Sequence, residues 1–205
     1  MSLTRRQIET GLREIGKRAR EAGEVIEIAL YGGSAIVLVF NFRKATRDVD
    51  VVVSGNTSSF RRYAREVALA HGWDESWIND AVKGFVSAKA AEGLKPFRSY
   101  PDETNPGLRV MAPTAEYLLA MKCMAMRIDA ADQSRDLIDI HALMNETGRT
   151  NAGKLLEVVE RFYPPSLITP RTLFGIEQIA EDYQDKAHGI PAPTKPRGGR
   201  KNRKT

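Results

Sequence analysis

Between Leu30 and Val53 the chain reads LYGGSAIVLVFNFRKATRDVDVVV, and this stretch limits the fold more than any other. Val25 to Tyr31 has a strand pattern that stops at Gly32-Gly33-Ser34, and Asp48 to Val53 is a second strand pattern closed by Ser54-Gly55-Asn56. In a strand, residues two apart share a face. Asp48 and Asp50 therefore present two carboxylates side by side, while Val49, Val51 and Val53 turn into a core. Like charges about 6 to 7 Å apart repel and raise each other's pKa. A cation relieves that repulsion, and oxygen ligands with no His or Cys nearby point to Mg²⁺ or Mn²⁺. An edge strand with a polar face toward solvent is the bland alternative. Gly32-Gly33-Ser34 would open the next element, taken as a helix. Two glycines let a ligand approach the backbone, and a helix N-terminus with a serine hydroxyl favours a phosphate. A plain glycine turn with Ser34 as an N-cap fits the same letters. Thirteen residues separate Ser34 from Asp48. Together the two pieces describe a phosphate cradle beside a metal-binding carboxylate pair, which is what a nucleoside triphosphate with Mg²⁺ requires.

The rest of the chain supplies a body for this block. With 205 residues, 42% hydrophobic and 28% charged, it can bury a core of ordinary size. Helix patterns run over Thr4 to Ala22, with Ile8, Leu12 and Ile15 inward, and over Thr57 to Ala70. Trp77 to Phe85 reads as a short helix, and Phe97 to Tyr100 and Leu108 to Ala112 as short strands. Ala35 to Phe42 is apolar all round, a buried helix or a buried strand. After Pro113 the texture turns helical, at Thr114 to Ala130, Gln133 to Glu146, Ala152 to Phe162 and Arg171 to Lys186. The expected class is α+β: a small mixed β-sheet core flanked by helices over 1–112, followed by a helical subdomain over 113–186. The last segment, 187–205, is rich in Pro, Gly and Lys/Arg and is expected to be disordered. Its six basic residues account for the net charge of +5, since without them 25 basic residues face 26 acidic. That tail suits either a salt-dependent nucleic-acid contact or a solubilising end.

Composition also excludes classes. The longest apolar run, Ala35 to Phe40, is far short of the roughly 18 residues a membrane span needs, so no membrane partner is expected. MSLTRRQIET has no following apolar block, unlike a secretory signal. One cysteine rules out an internal disulfide and fits a reducing cytoplasm, and three histidines with one cysteine argue against structural zinc. No histidine has a nucleophile beside it, and Ser34 is not in a G-x-S-x-G elbow.

Gly-Gly-Ser followed about a dozen residues later by alternating Asp and hydrophobic residues resembles the signature of the DNA polymerase β-like nucleotidyltransferase superfamily. Arg43, Thr46 and Asp48-Val-Asp50 fit an R-x-x-T-x-D-x-D variant similar to the AbiEii-like abortive-infection toxin branch and related uncharacterised bacterial proteins. Trp77-Ile-Asn79-Asp80, Leu118-Leu-Ala-Met-Lys122 and Arg135-Asp136-Leu-Ile-Asp139 are similar to later blocks of that group, so the resemblance spans roughly residues 24 to 146. It implies transfer of a nucleoside monophosphate from an NTP to a hydroxyl acceptor. Asp48 and Asp50 would be catalytic and hold Mg²⁺ or Mn²⁺; Gly32, Gly33, Ser34, Arg43 and Thr46 would bind the nucleotide. Lys122 would steady the triphosphate, and Asp136 would assist the metal or take the acceptor proton. On the toxin branch the acceptor is RNA, with tRNA one candidate, and the partner is a cognate antitoxin.

Helical-wheel positions address the later residues independently. Lys122 lies at the margin of a stripe formed by Leu118, Met121, Ala125 and Ile128, where a charge needs a partner, or snorkels on the helix flank. In the next helix Asp136 falls nearer the stripe of Leu137, Ile140, Leu143 and Met144 than Asp139 does, which makes it the better candidate. One departure from the superfamily stands out: the strand Leu108 to Ala112 carries no third acid. Either Asp136 or Asp139 replaces it, or the fold is a catalytically inactive module that binds nucleotide or protein. An antibiotic-modifying enzyme ranks third. His141 and Cys123 read as core residues, and Trp77 as an anchor.

Overall fold

A capping box starts the first helix. Thr4 closes the two-residue strand β1 (Leu3–Thr4), its hydroxyl accepts from the Gln7 backbone, and the Gln7 side chain accepts from the Thr4 backbone in return. In this computed structural model, which describes residues 2–126 and 133–188, helix α1 (Arg5–Glu21) then buries Ile8, Leu12 and Ile15 as its periodicity requires. Strand β2 (Ile26–Leu30) leads into one α turn, α2 (Gly32–Ala35), which continues as a π-helical turn over Ile36–Phe40. The apolar run 35–42 is therefore helical. Asn41, at φ 58°, ends the turn in the left-handed conformation that asparagine tolerates. The chain doubles back through β3 (Ala45–Thr46), paired with β1, into β4 (Val49–Ser54).

Helix α3 (Thr57–His71) follows, its first turn capped by the Asn56 side chain. The helix expected over Trp77 to Phe85 is instead the short strand β5 (Ile78–Asn79) and a 3₁₀ turn over Ala81–Phe85. The cause is tertiary. Trp77 is buried with its indole N–H on the Ala64 carbonyl, and Ile78 and Asn79 pair with Val49 and Asp50. After α4 (Ala90–Gly93) come β6 (Leu94–Tyr100) and β7 (Leu108–Pro113), then the helices α5 (Ala115–Ala125), α6 (Gln133–Thr147), α7 (Ala152–Phe162) and α8 (Pro170–His188). Residues 127–130 of the expected helix Thr114 to Ala130, with its stripe residue Ile128, lie outside the described residues. So does the expected basic tail from 189 onward.

The five-stranded sheet runs β5-β4-β2-β7-β6, with β4/β2 and β7/β6 antiparallel and β2/β7 and β4/β5 parallel. The fold is α+β. Alternation along the central strands feeds two cores. Ile26, Ile28, Leu30, Val49 and Val51 pack with α1 and α3 on one side. From the other side Ala29, Tyr31, Ala35 and Ile36 join a second cluster with Leu118, Leu119, Ile140, Leu143, Leu155 and Phe162. This second cluster draws on residues from both sides of Pro113. Cys123 sits inside it, where burial pushes its thiol up to about 12.

Candidate active site

The start of β4 faces the helices α5 and α6 across a chamber of about 620 Å³. On the strand side, Val49 and Val51 are buried in the core and the intervening Asp50 turns to the chamber, as the two-residue period requires. Asp48 sits one step earlier, with one carboxylate oxygen accepting from the Asn79 amide at 3.1 Å. Asn79 is in place because β5 pairs in parallel with β4. Burial and the neighbouring Asp48 push the Asp50 carboxyl up to about 6, against the opposing pull of Lys122 and Arg43.

Gly32 and Gly33 form the floor, and a side chain on either would displace the site groups packed against it. Gly32 has φ +53°, and a Cβ there would stand 2.1 Å from Asp50 Oδ2. A Cβ on Gly33 would stand 2.1 Å from Arg43 Nη2 and 2.4 Å from Thr46 Oγ1. The π turn and Asn41 reverse the chain so that Arg43 and Thr46 close over Gly33, with their side chains 3.5 Å apart.

The helix side carries Lys122 and Arg135. Lys122 Nζ donates to Asp136 at 2.6 Å and to Asp139 at 2.8 Å. Asp139 Oδ2 also lies 3.4 Å from Arg43 Nη1. The Asp136 side chain is 46% exposed and that of Asp139 only 2%. Charges balance around the chamber: Arg43, Arg47, Lys122 and Arg135 stand with Asp48, Asp50, Asp136 and Asp139.

Eight of the nine residues singled out by sequence line this one chamber. Ser34 does not. It is fully buried, and its hydroxyl donates to the Tyr31 carbonyl at 2.7 Å rather than facing a ligand. Asp139 and Asn79 are the residues that sequence reading underweighted. The i, i+3 spacing of Asp136 and Asp139 was the available signal for the first, and the parallel strand pairing that aims Asn79 had none. Asp102 and Glu103 hold their own loop, through Arg20 and the Ser99 backbone, and stay out of the site. His141 is partly buried with its ring edge-on to Tyr183, away from any nucleophile.

Among the described residues no group of three or more His, Cys, Asp or Glu is arranged to hold a metal ion. Asp48 and Asp50 supply two hard oxygen donors side by side, a set that suits Mg²⁺ when substrate phosphates and water complete the shell. Among the described residues, too, no helix is long and apolar enough to cross a membrane.

Paired strand carboxylates facing a lysine and arginine wall suit chemistry on a phosphate ester, and comparison with known proteins names the class. The family model described as "Nucleotidyl transferase AbiEii toxin, Type IV TA system" matches residues 84–196, and the chain belongs to this family. It is a nucleotidyltransferase. The matched region holds Lys122, Asp136 and Asp139 but starts after the Gly32 to Asp50 block. A solved structure, an antigenic nucleotidyltransferase-like protein from Paracoccidioides brasiliensis, is 12% identical, with 85% of this chain and 95% of that chain covered and a TM-score of 0.44. No curated protein sequence matches the chain.

Proposed function

We propose that the chamber binds the triphosphate of an NTP with a divalent cation, and that the protein transfers the nucleoside monophosphate to a hydroxyl acceptor. One observation carries this reading: a chamber of about 620 Å³ is lined by the Asp48 and Asp50 carboxylates together with Lys122 and Arg43, which both contact Asp139. The acceptor hydroxyl oxygen bonds to the α-phosphorus, the α–β bridging P–O bond breaks, and pyrophosphate leaves with that electron pair. Asp48 and Asp50 are the residues that would hold Mg²⁺ or Mn²⁺, which when bound neutralises phosphate charge and lowers the acceptor pKa. Lys122 and Arg43 stabilise negative charge on the departing phosphates. Asp136 is half-exposed at the chamber and takes the acceptor proton. Gly32 and Gly33 let the phosphates approach the backbone.

Family membership supports two further assignments. The acceptor is RNA, with tRNA the first to test, and a cognate antitoxin is the protein partner of this toxin-family chain. Incubation with Mg²⁺ or Mn²⁺, total RNA and each α-³²P NTP, beside Asp48→Ala, tests the reading. Label on an RNA band that vanishes in the variant is the expected result. Metal-dependent NTP binding with no product from any acceptor would point instead to a binding module, a reading favoured by the absence of an acid on β7.

A further inference from the structure

A second cavity, of about 190 Å³, opens on the same residues as the chamber. Gly32, Asp50, Lys122 and Asp136 line both. Its remaining walls are apolar: Ala81, Val82 and Phe85 from the 3₁₀ turn, and Leu118, Met121 and Ala125 from α5. The charged chamber therefore adjoins, along Gly32, Asp50, Lys122 and Asp136, a slot whose other walls are the Phe85 ring and aliphatic side chains. At this size the slot is too small for a whole nucleotide, since pockets for ligands of that bulk run to roughly 300 Å³ and more. One planar ring system suits it.

The 3₁₀ turn that forms the outer wall is fixed in place. The Phe85 carbonyl accepts from the Tyr163 hydroxyl, and the Ser87 backbone donates to the Tyr117 hydroxyl at 3.1 Å. Ser87 also donates to the Phe162 carbonyl. Phe85 lines the slot and stays 38% exposed as a residue. A large aromatic held open to water beside four charged or glycine groups is out of place as core packing. It is well placed to stack on a base, because every nucleobase has an apolar π-face.

Resting on the assignment of the chamber to the triphosphate, we propose that this slot is the subsite for the nucleobase of the incoming NTP. A nucleotide spanning both cavities puts its phosphates at Lys122 and Arg43 and its base against Phe85. Its α-phosphate then lies at their junction, beside Asp50. The slot offers apolar surface and a ring face, so the base is held by stacking and contact area.

Calorimetric titration of the full chain in excess Mg²⁺ with each of the four NTPs, and separately with inorganic tripolyphosphate, tests this. At least one NTP should bind roughly tenfold tighter than tripolyphosphate, the gain expected from one stacked base. Phe85→Ala should remove that advantage and leave tripolyphosphate affinity unchanged. Ala81→Trp, which enlarges an exposed residue at the slot, should do the same by filling it. Equal affinity of tripolyphosphate and every NTP overturns the inference, as does an NTP advantage that survives both variants. A parallel loss of tripolyphosphate binding in both variants also overturns it, because the slot would then be acting on phosphate. If wild-type protein with an unchanged melting curve binds neither probe, the chamber assignment itself fails.

Discussion

The two walls of the chamber handle charge in opposite ways. On the helix wall every described cation–carboxylate contact is matched: Lys122 bonds both Asp136 and Asp139, and Asp139 also meets Arg43. On the strand wall two carboxylates stand together, and Asp50 is pushed up to about 6 by burial and by Asp48. On the helix wall the buried Asp139 is satisfied by Lys122 and Arg43 and contributes to the fold, while Lys122 and Asp136 also face the chamber. The strand wall keeps a charge conflict that nothing in the fold requires, since Val49 and Val51 fill the core from the same strand. Such a conflict on a well-packed element is the mark of a site kept for a ligand rather than for stability. Substituting Asp48 or Asp50 and substituting the buried Asp139 should therefore separate activity from stability.

The largest effect should come from the strand wall. Asp48→Asn and Asp50→Asn should each lower nucleotide transfer by about a hundredfold to a thousandfold, comparable to the loss of one preorganised electrostatic group. Melting temperatures should stay level or rise. A variant that unfolds instead would erase the difference between the walls. Next comes the helix wall: Asp139→Ala removes the buried anion shared by Lys122 and Arg43 and leaves Lys122 with Asp136. Breaking a buried pair from one side costs about 3 to 5 kcal/mol, and the partial exposure of Arg43 places the expectation at the low end. Urea unfolding measures it, and a midpoint equal to wild type would show that the helix wall is no more structural than the strand wall.

That contrast was only half legible in the sequence. The alternation of Asp48 and Asp50 with Val49 and Val51 has a period of two, and a strand can satisfy it in only one way. Lys122 showed as a charge at the edge of an apolar stripe. Asp139 ranked below Asp136 because a helical wheel compares a residue only with its own helix. One of its partners is Arg43, carried there by a π turn and a left-handed Asn41 that no periodicity encodes. Ser34 is a different case. Gly-Gly-Ser reads as a phosphate cradle or as a turn with Ser34 at the N-cap. In the structure Tyr31 is the N-cap and the Ser34 hydroxyl donates to its carbonyl, while Gly32 and Gly33 line the chamber. The Trp77 to Phe85 segment misled because its short strand exists only through pairing with β4. A change of texture at Pro113 likewise hides that Tyr31, Ala35 and Ile36 belong to the second core.

Titration sharpens the comparison further. Asp50 in the folded chain holds its proton up to about pH 6, whereas its ordinary value is 3.8. The folded state therefore binds more protons between these values, and stability falls as pH rises through that window. In EDTA, Asp50→Asn should be more stable than wild type by on the order of 3 kcal/mol at pH 7.5, the worth of such a shift. The difference should close below about pH 4. Chemical denaturation at several pH values checks it, and a gap that is constant with pH would mean that Asp50 carries no charge conflict.

The smallest effect tests what relieves the conflict. A cation that binds only the folded chain stabilises it by RT ln(1 + [L]/Kd), about 1.4 kcal/mol at ten times Kd. Mg²⁺ or Mn²⁺ added to EDTA-treated wild type should raise its melting temperature accordingly, most clearly above pH 6, where Asp50 is ionised without help. Asp50→Asn should lose this response, because its amide offers the ion no charge. Asp139→Asn should keep it, since Asp139 already answers Lys122 and Arg43 and has no need of a further cation. If both variants kept the response, the ion would be sitting elsewhere and the strand wall would need another explanation. If both lost it, the two walls would form one coupled unit, and the division of roles between them would fall.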